Sequence, residues 1–423
     1  MYAGKLKRIA LLSYGLLFLL LSTFVQSTLA DGEGYKGMRY LPGWWKPFRG
    51  EDPANPSNAS PWNKLIPTNA TSHPDSGTII GDMDFHSVSV RFADDYQATL
   101  HVVNSSNSNL PKYPYHAQKE DGSNTNVYRY THEQNTYNPD PNGNDITDLP
   151  YPFIPGKTIP EPFPEQDGRM TIVDINTNYA YEVSQGKAEL DTCGTSTAPP
   201  GPHVWCSTFN IWDLNGTGTV KYLPPSCNTW GTCDPWWQCA GGRGAGVPVI
   251  AGMVRPEELY YAVSSEGDGV IHHALSFAYD RNRSTMYDST EGRWRKVRAL
   301  YPFAYRSDGM YSGTKYPIEG MQFQLDPAYP VDTNISNQYG RVIARALQQY
   351  GAVLVDNGGG NSMTLNLQNL RYVINPGGYV VDNRTAWEQE FQGFYDSITV
   401  LHPGDFRVVN TPETLGAVIL FEN

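Results

Sequence analysis

Short alternating runs dominate the chain. Apolar and polar residues alternate near Ile79, over 86–92 and 98–103, and again over 170–174 and 180–183, with turn residues at 176–178 between the last two. These segments predict strands, the last two paired as a hairpin. Residues 352–356 and 363–367 flank a glycine-rich turn at 357–361 and predict a second hairpin. Two stretches depart from the period of 2. Pro256 opens a helix with Glu257 and Glu258 in its first turn, where proline's missing donor costs nothing and acids meet the positive dipole end. A second helix runs from the capping residue Asn337 to Tyr350. Val342, Ile343, Ala346, Leu347 and Tyr350 make its apolar face, and Gly351 ends it. Mostly strands with two short embedded helices predict a mainly β protein with a sandwich or jelly-roll-like core.

The stretches between these elements predict the organisation. Residues 1–30 read as a signal peptide: Lys5, Lys7 and Arg8 are basic, 9–24 is apolar, and Thr28 and Ala30 supply small residues before a cleavage point. The apolar run is short for a bilayer span and is broken by Ser13, Tyr14 and Gly15, so the mature chain is expected to be secreted without a membrane span. Residues 31–76 read as an extended N-terminal arm, with Trp44, Trp45 and Trp62 as packing anchors and a capacity for self-association. Residues 77–423 read as the β-rich domain. Within it, 104–148 is dense in Asn, Tyr, Pro and Ser and predicts surface loops. The proline-rich segment near 150–165 allows a break between two packed subdomains.

Composition agrees with short strands joined by turns. Charged residues make up 17% of the chain, against 40 Gly, 32 Pro and 28 Tyr. A net charge of −12 leaves no basic stripe to displace phosphate counterions, which excludes nucleic acid as a partner. The five cysteines, Cys193, Cys206, Cys227, Cys233 and Cys239, crowd into one region without the CxxC knuckles of structural zinc. In an exported chain they predict a local disulfide staple whose pairing stays open. Seven N-x-S/T sequons, at Asn58, Asn69, Asn104, Asn215, Asn282, Asn334 and Asn383, permit glycosylation in a suitable host.

Candidate chemistry concentrates between 240 and 275, where glycines, two arginines, adjacent glutamates and paired histidines meet. His273 beside Glu258 is a candidate proton carrier. Asp174 and Glu182, on the predicted hairpin, are a candidate carboxylate pair of the kind glycoside hydrolases use. Arg243 and Arg255 suit the oxyanions of an acidic polysaccharide. Trp230, Trp236 and Trp237, inside the cysteine-rich loop, are candidate sugar-stacking platforms. The glycine loop at 242–246 lacks the preceding apolar strand and the following Lys-Ser/Thr of a nucleotide loop, and Asp82, Asp84 and His86 form only a loose cation pattern. No cofactor or metal is therefore expected.

The run RGAGVPVIAGMVRPEE (243–258), followed by GVIHHALSF (269–277), resembles the central signature of a family of secreted, β-rich bacterial and fungal proteins. In that family an AGLP-GLVR-E run precedes a G-I-HAL-F strand. The likeness extends to 168–182, 338–357 and 402–409. Relatives carry an Asp-Arg-His step where this chain has Arg169 followed by Met170, and methionine cannot carry a proton. The resemblance implies an exported β-rich protein with a carbohydrate-related role. Two functions follow as expectations. One is a secreted glycoside hydrolase or polysaccharide lyase acting on an extracellular, acidic polysaccharide. The other is a non-catalytic structural, self-assembling or glycan-binding surface protein.

Overall fold

The computed structural model describes residues 48, 59–83, 87–90, 97–106, 112–117, 127–130, 137–139, 145–150, 169–184, 187–189, 203–206, 208–219, 242–283, 285–288, 293–296, 300, 302–304, 307, 309, 311–358, 360, 362–369, 372–374, 380–382 and 393–410. Two large sheets organise them. In chain order their strands begin with β1 (Thr71–Ser72), β2 (Val88–Ser89), β3 (Thr99–Val103), β4 (Val127–Tyr130), β5 (Tyr137–Pro139) and β6 (Met170–Asp174). They continue with β7 (Tyr179–Ser184), β8 (Thr208–Asp213), β9 (Leu275–Ala278), β10 (Gln322–Leu325), β11 (Ala352–Asp356), β12 (Met363–Leu365) and β13 (Phe406–Asn410).

The 7-stranded sheet has the order β1-β13-β10-β11-β9-β12-β2, and the 6-stranded sheet the order β3-β6-β7-β8-β4-β5. Both are mixed: β9 runs parallel to β11 and β3 parallel to β6, beside antiparallel neighbours. A 4-stranded sheet joins Lys112–Ala117, Asp145–Pro150, Lys187–Glu189 and His203–Cys206. The helices are α1 (Ser76–Asp82), α2 (Pro256–Val263), α3 (Val331–Asn334) and α4 (Gln338–Gln349). The protein is mainly β, as its residue pattern predicts. Among the described residues no helix is long and apolar enough to cross a membrane.

The hairpin at 170–184 forms as expected. Its turn closes through Asn178, whose φ of 57° is a left-handed conformation that asparagine tolerates. Both predicted helices are present. The Asn337 side chain accepts from the Tyr339 and Gly340 amides, and Val342, Ile343, Ala346 and Leu347 are buried where α4 packs on β10 and α2. Gly351, at φ 72°, turns the chain directly into β11.

Three expectations change. The segment around Ile79 is helical. Ser76 Oγ accepts the Val408 amide at 2.9 Å and the fully buried Ile79 faces the core, so packing on β13 decides a stretch too short to separate a period of 2 from 3.6. Residues 352–356 and 363–365 do not pair with each other. β9 lies between them, parallel to β11 and antiparallel to β12, and so gains ladder partners on both edges. The polar stretch 104–148 contains four strands, because its Tyr- and Val-rich segments pair with distant strands such as β8. Residues 59–76, within the segment read as an arm, pack on the domain. Trp62 is fully buried, with Phe303 edge-on at 5.0 Å, and Thr71–Ser72 is an edge strand. Trp44 and Trp45 lie outside the described residues.

Residues 242–254 run between the two sheets. On one side the Ala245 amide donates to Val355 O at 2.8 Å, and Gly252 O accepts from Ser276 of β9 at 2.9 Å. On the other the Ile250 amide donates to Glu182 of β7 at 3.2 Å. Gly252 has φ 69°, and a Cβ there would sit 2.6 Å from the Ser276 nitrogen, so only glycine permits this approach.

Candidate functional site

The candidate residues fall into three clusters along this middle segment. The first begins at the entry to α2. Arg255 is still extended, with φ −115° and ψ 144°, and Pro256 starts the helix. Glu258 sits at the third helical position, where its side chain reaches back over the first turn. Its Oε2 accepts the Arg255 amide at 3.1 Å. Its Oε1 accepts Arg255 Nη2 at 2.6 Å and faces His273 Nε2 at 3.0 Å. Glu257 Oε1 lies 3.3 Å from Arg255 Nη1. The second ring nitrogen of His273 lies 2.9 Å from the Ala274 carbonyl oxygen.

Arg255 and His273 are each 1% exposed. Burial by itself pushes the Glu258 carboxyl up, but Arg255 and His273 beside it outweigh burial and hold it at about 2. Both imidazole nitrogens face oxygens, and both Glu258 oxygens are occupied. His273 has no ring nitrogen turned toward a ligand. The cluster ties α2 to the segment entering β9.

The second cluster is ionic as well. Asp356, at the end of β11, accepts Arg169 Nη1 at 2.7 Å and the Gly244 amide at 3.2 Å, with Arg243 Nη1 at 3.6 Å. Burial raises the Asp356 carboxyl, and the two guanidinium groups reverse that and hold it below the usual carboxylate range. Arg169 precedes β6 of one sheet and Asp356 closes β11 of the other, so the cluster clamps the sheets together. Arg243 and Arg255, expected to receive acidic groups of a polysaccharide, are thus occupied by carboxylates of the chain itself.

Glu182 forms the third cluster. The register sets Glu182 opposite Thr171 of β6, with Asp174 three residues further along that strand. Alternation then puts Asp174 on the other face of the sheet from Glu182. The Asp174 carboxylate instead accepts the Ser105 and Asn176 amides at 3.0 and 3.1 Å and the Thr177 hydroxyl at 2.8 Å, which pins the hairpin turn. The two acids do not form a pair across a cleft.

No protein-family model, curated protein or solved structure matches the chain.

The Glu182 carboxylate is held by hydrogen bonds. Its Oε2 accepts Trp212 Nε1 at 2.8 Å and its Oε1 accepts the Ile250 amide at 3.2 Å. Burial raises this carboxyl to about 7, against the opposing pull of those hydrogen bonds and of Arg243. A Cβ on Gly242 would lie 3.2 Å from Glu182 Oε2 and 2.2 Å from Val249 Cγ2, so the glycine keeps backbone close against the acid. Such a carboxyl can hold or release a proton near neutral pH.

Sequence reasoning passed over Arg169, Asp356, Asn210 and Thr171. No local pattern marks any of the four, since their partners come from distant strands. Trp230, Trp236 and Trp237 lie outside the described residues, as do Cys193, Cys227, Cys233 and Cys239.

Proposed function

We propose that the protein is an exported, non-catalytic glycan-binding protein of the extracellular space or cell surface, a member of the secreted family that its 243–277 signature resembles. The observation that carries this reading is the closed Arg255–Glu258–His273 network, in which the expected acid, base and cation neutralise one another inside the fold. The placement of Asp174 and Glu182 on opposite faces removes the carboxylate pair a hydrolase would use. Export and glycan binding draw support from the leader-like residues 1–30 and the abundance of Trp and Tyr. A sandwich is the architecture this reading adopts, supported by the contacts that 242–254 makes with strands of both large sheets.

The test incubates the purified chain with a broad panel of neutral and acidic polysaccharides, scoring both retention and cleavage. Retention without cleavage is the expected result. Turnover of any polysaccharide overturns the non-catalytic reading, and absence of retention leaves only a structural role. A hydrolase or lyase is the second reading, and one observation favours it: the Glu182 carboxyl raised to about 7 suits a general acid. Export also carries a chemical expectation. Mass mapping of unreduced protein should find at least one disulfide among the five cysteines, and five free thiols would contradict it. Glycosylation of the folded chain is closed to Asn282, which is fully buried and donates to Glu319 at 2.7 Å, whereas Asn69 and Asn334 are exposed.

A further inference from the structure

Three polar side chains cross the 6-stranded sheet in one row. The register pairs Glu182 of β7 with Thr171 of β6 on one side and with Asn210 of β8 on the other. Residues directly opposite in antiparallel strands share a face, with Cβ atoms about 4.5–5.5 Å apart. Thr171 and Asn210 are 0% exposed and Glu182 is 1% exposed. Neither the Thr171 hydroxyl nor either polar atom of the Asn210 amide has a hydrogen-bond partner among the described residues. Buried polar atoms are met by protein, water or ligand in the large majority of proteins.

Most of the described neighbours on that face are apolar, and Tyr128 of β4 stands beside Asn210 in the register. Leu100 lies opposite Thr171, and Val173, Ala180 and Trp212 form the next row. Trp212 spends its only donor on Glu182. The Glu182 carboxyl accepts from Trp212 and from the Ile250 and Val249 amides, and its two oxygens retain capacity for a further bond.

We infer that Thr171, Glu182 and Asn210 form a buried site for hydroxyl groups, one on each side of the Glu182 carboxyl. The amide offers donors and an acceptor, and the threonine hydroxyl offers both roles, which suits a neutral hydroxyl rather than an ion. Two sources share this chemistry: a pair of ordered waters, or two hydroxyls of one sugar unit. The sugar source rests on the glycan-binding reading above, and the water source does not.

The test is a high-resolution crystal structure of the full chain, grown without sugar and after soaking with neutral mono- and disaccharides. It is paired with polysaccharide retention by the parent, Asn210→Leu and Thr171→Val. The expected result is oxygen density within about 3 Å of the Asn210 amide and the Thr171 hydroxyl. Thr171→Val, close in shape to the parent, should lose the density on its side. Density from a sugar ring, with retention weakened about tenfold in Asn210→Leu, assigns the hydroxyls to glycan. Water density in both crystals, with retention unchanged in the variants, assigns them to water and puts glycan binding elsewhere. Water density with no retention by the parent keeps this site and defeats the glycan reading. Crystals in which Asn210 and Thr171 pair with protein groups, and no oxygen lies between them, overturn the site.

Discussion

Glu258 serves three donors with two oxygens, and its neighbours depend on it. Replacing it with Gln leaves Arg255 and His273 buried without their carboxylate. The expected cost is roughly 3–5 kcal/mol, measured by denaturant unfolding at neutral pH. A loss below about 1 kcal/mol would mean that the network is slack. Glu182 presents the opposite case, a carboxyl raised to about 7 from an ordinary 4.5. The folded state therefore holds a proton that the unfolded chain releases. Its contribution is fully present below about pH 4.5 and disappears as pH rises through 7, a change of about 3 kcal/mol. Glu258, held at about 2, contributes above its ordinary value and loses that contribution as pH falls toward 2. Unfolding midpoints followed from pH 4.5 to 8 should fall for the parent and flatten in Glu182→Gln. An equal slope in both would show that Glu182 does not carry the proton. None of these charge states is readable from residue type, because the same glutamate titrates near 2 or near 7 according to what the fold sets beside it.

At the scale of elements, α4 is the clearest success of pattern reading. Its cap, its apolar face and its terminating glycine all appear where local chemistry requires them. Leu347 is fully buried, so Leu347→Ala should cost roughly 2–5 kcal/mol in denaturant titrations. Removing the cap with Asn337→Ala should cost about 0.5–2 kcal/mol. A Leu347 variant within about 0.5 kcal/mol of the parent would deny the burial of this face. The 170–184 hairpin was equally legible, since its turn and both strands are contiguous. The 352–365 pair was not. Both of its strands were found, but the partner that separates them, β9, comes from about 80 residues earlier in the chain.

At the scale of the whole molecule, the two large sheets meet through charge as well as through apolar contact. Arg169 and Asp356 are separated by 187 positions, and their bond couples the start of β6 to the end of β11. Asp356→Ala removes a carboxylate shared by Arg169 and the buried Arg243 and the acceptor of the Gly244 amide. Hydrogen exchange at Gly244 should accelerate strongly, while amides in the centre of α4 keep the protection that global stability allows. Unchanged exchange at Gly244 would show that the clamp does not hold the middle segment.

The sequence by itself determined the mainly β class, the two helices, the hairpin at 170–184 and the stretch between 240 and 275 where polar groups converge. Those features depend on local period, on capping and on which residues lie near each other along the chain. The tertiary structure alone decided what the convergence means. It turned Arg243 and Arg255 inward onto Asp356 and Glu258, occupied both nitrogens of His273, and sent Asp174 and Glu182 to opposite faces of one sheet. It also aligned Glu182 with Thr171 and Asn210, two positions on the neighbouring strands that no local pattern marks. The physical reason is distance. A charge or hydrogen-bonding group acts over a few ångströms, and in a mixed sheet the neighbours within that range come from parts of the chain that no local pattern connects.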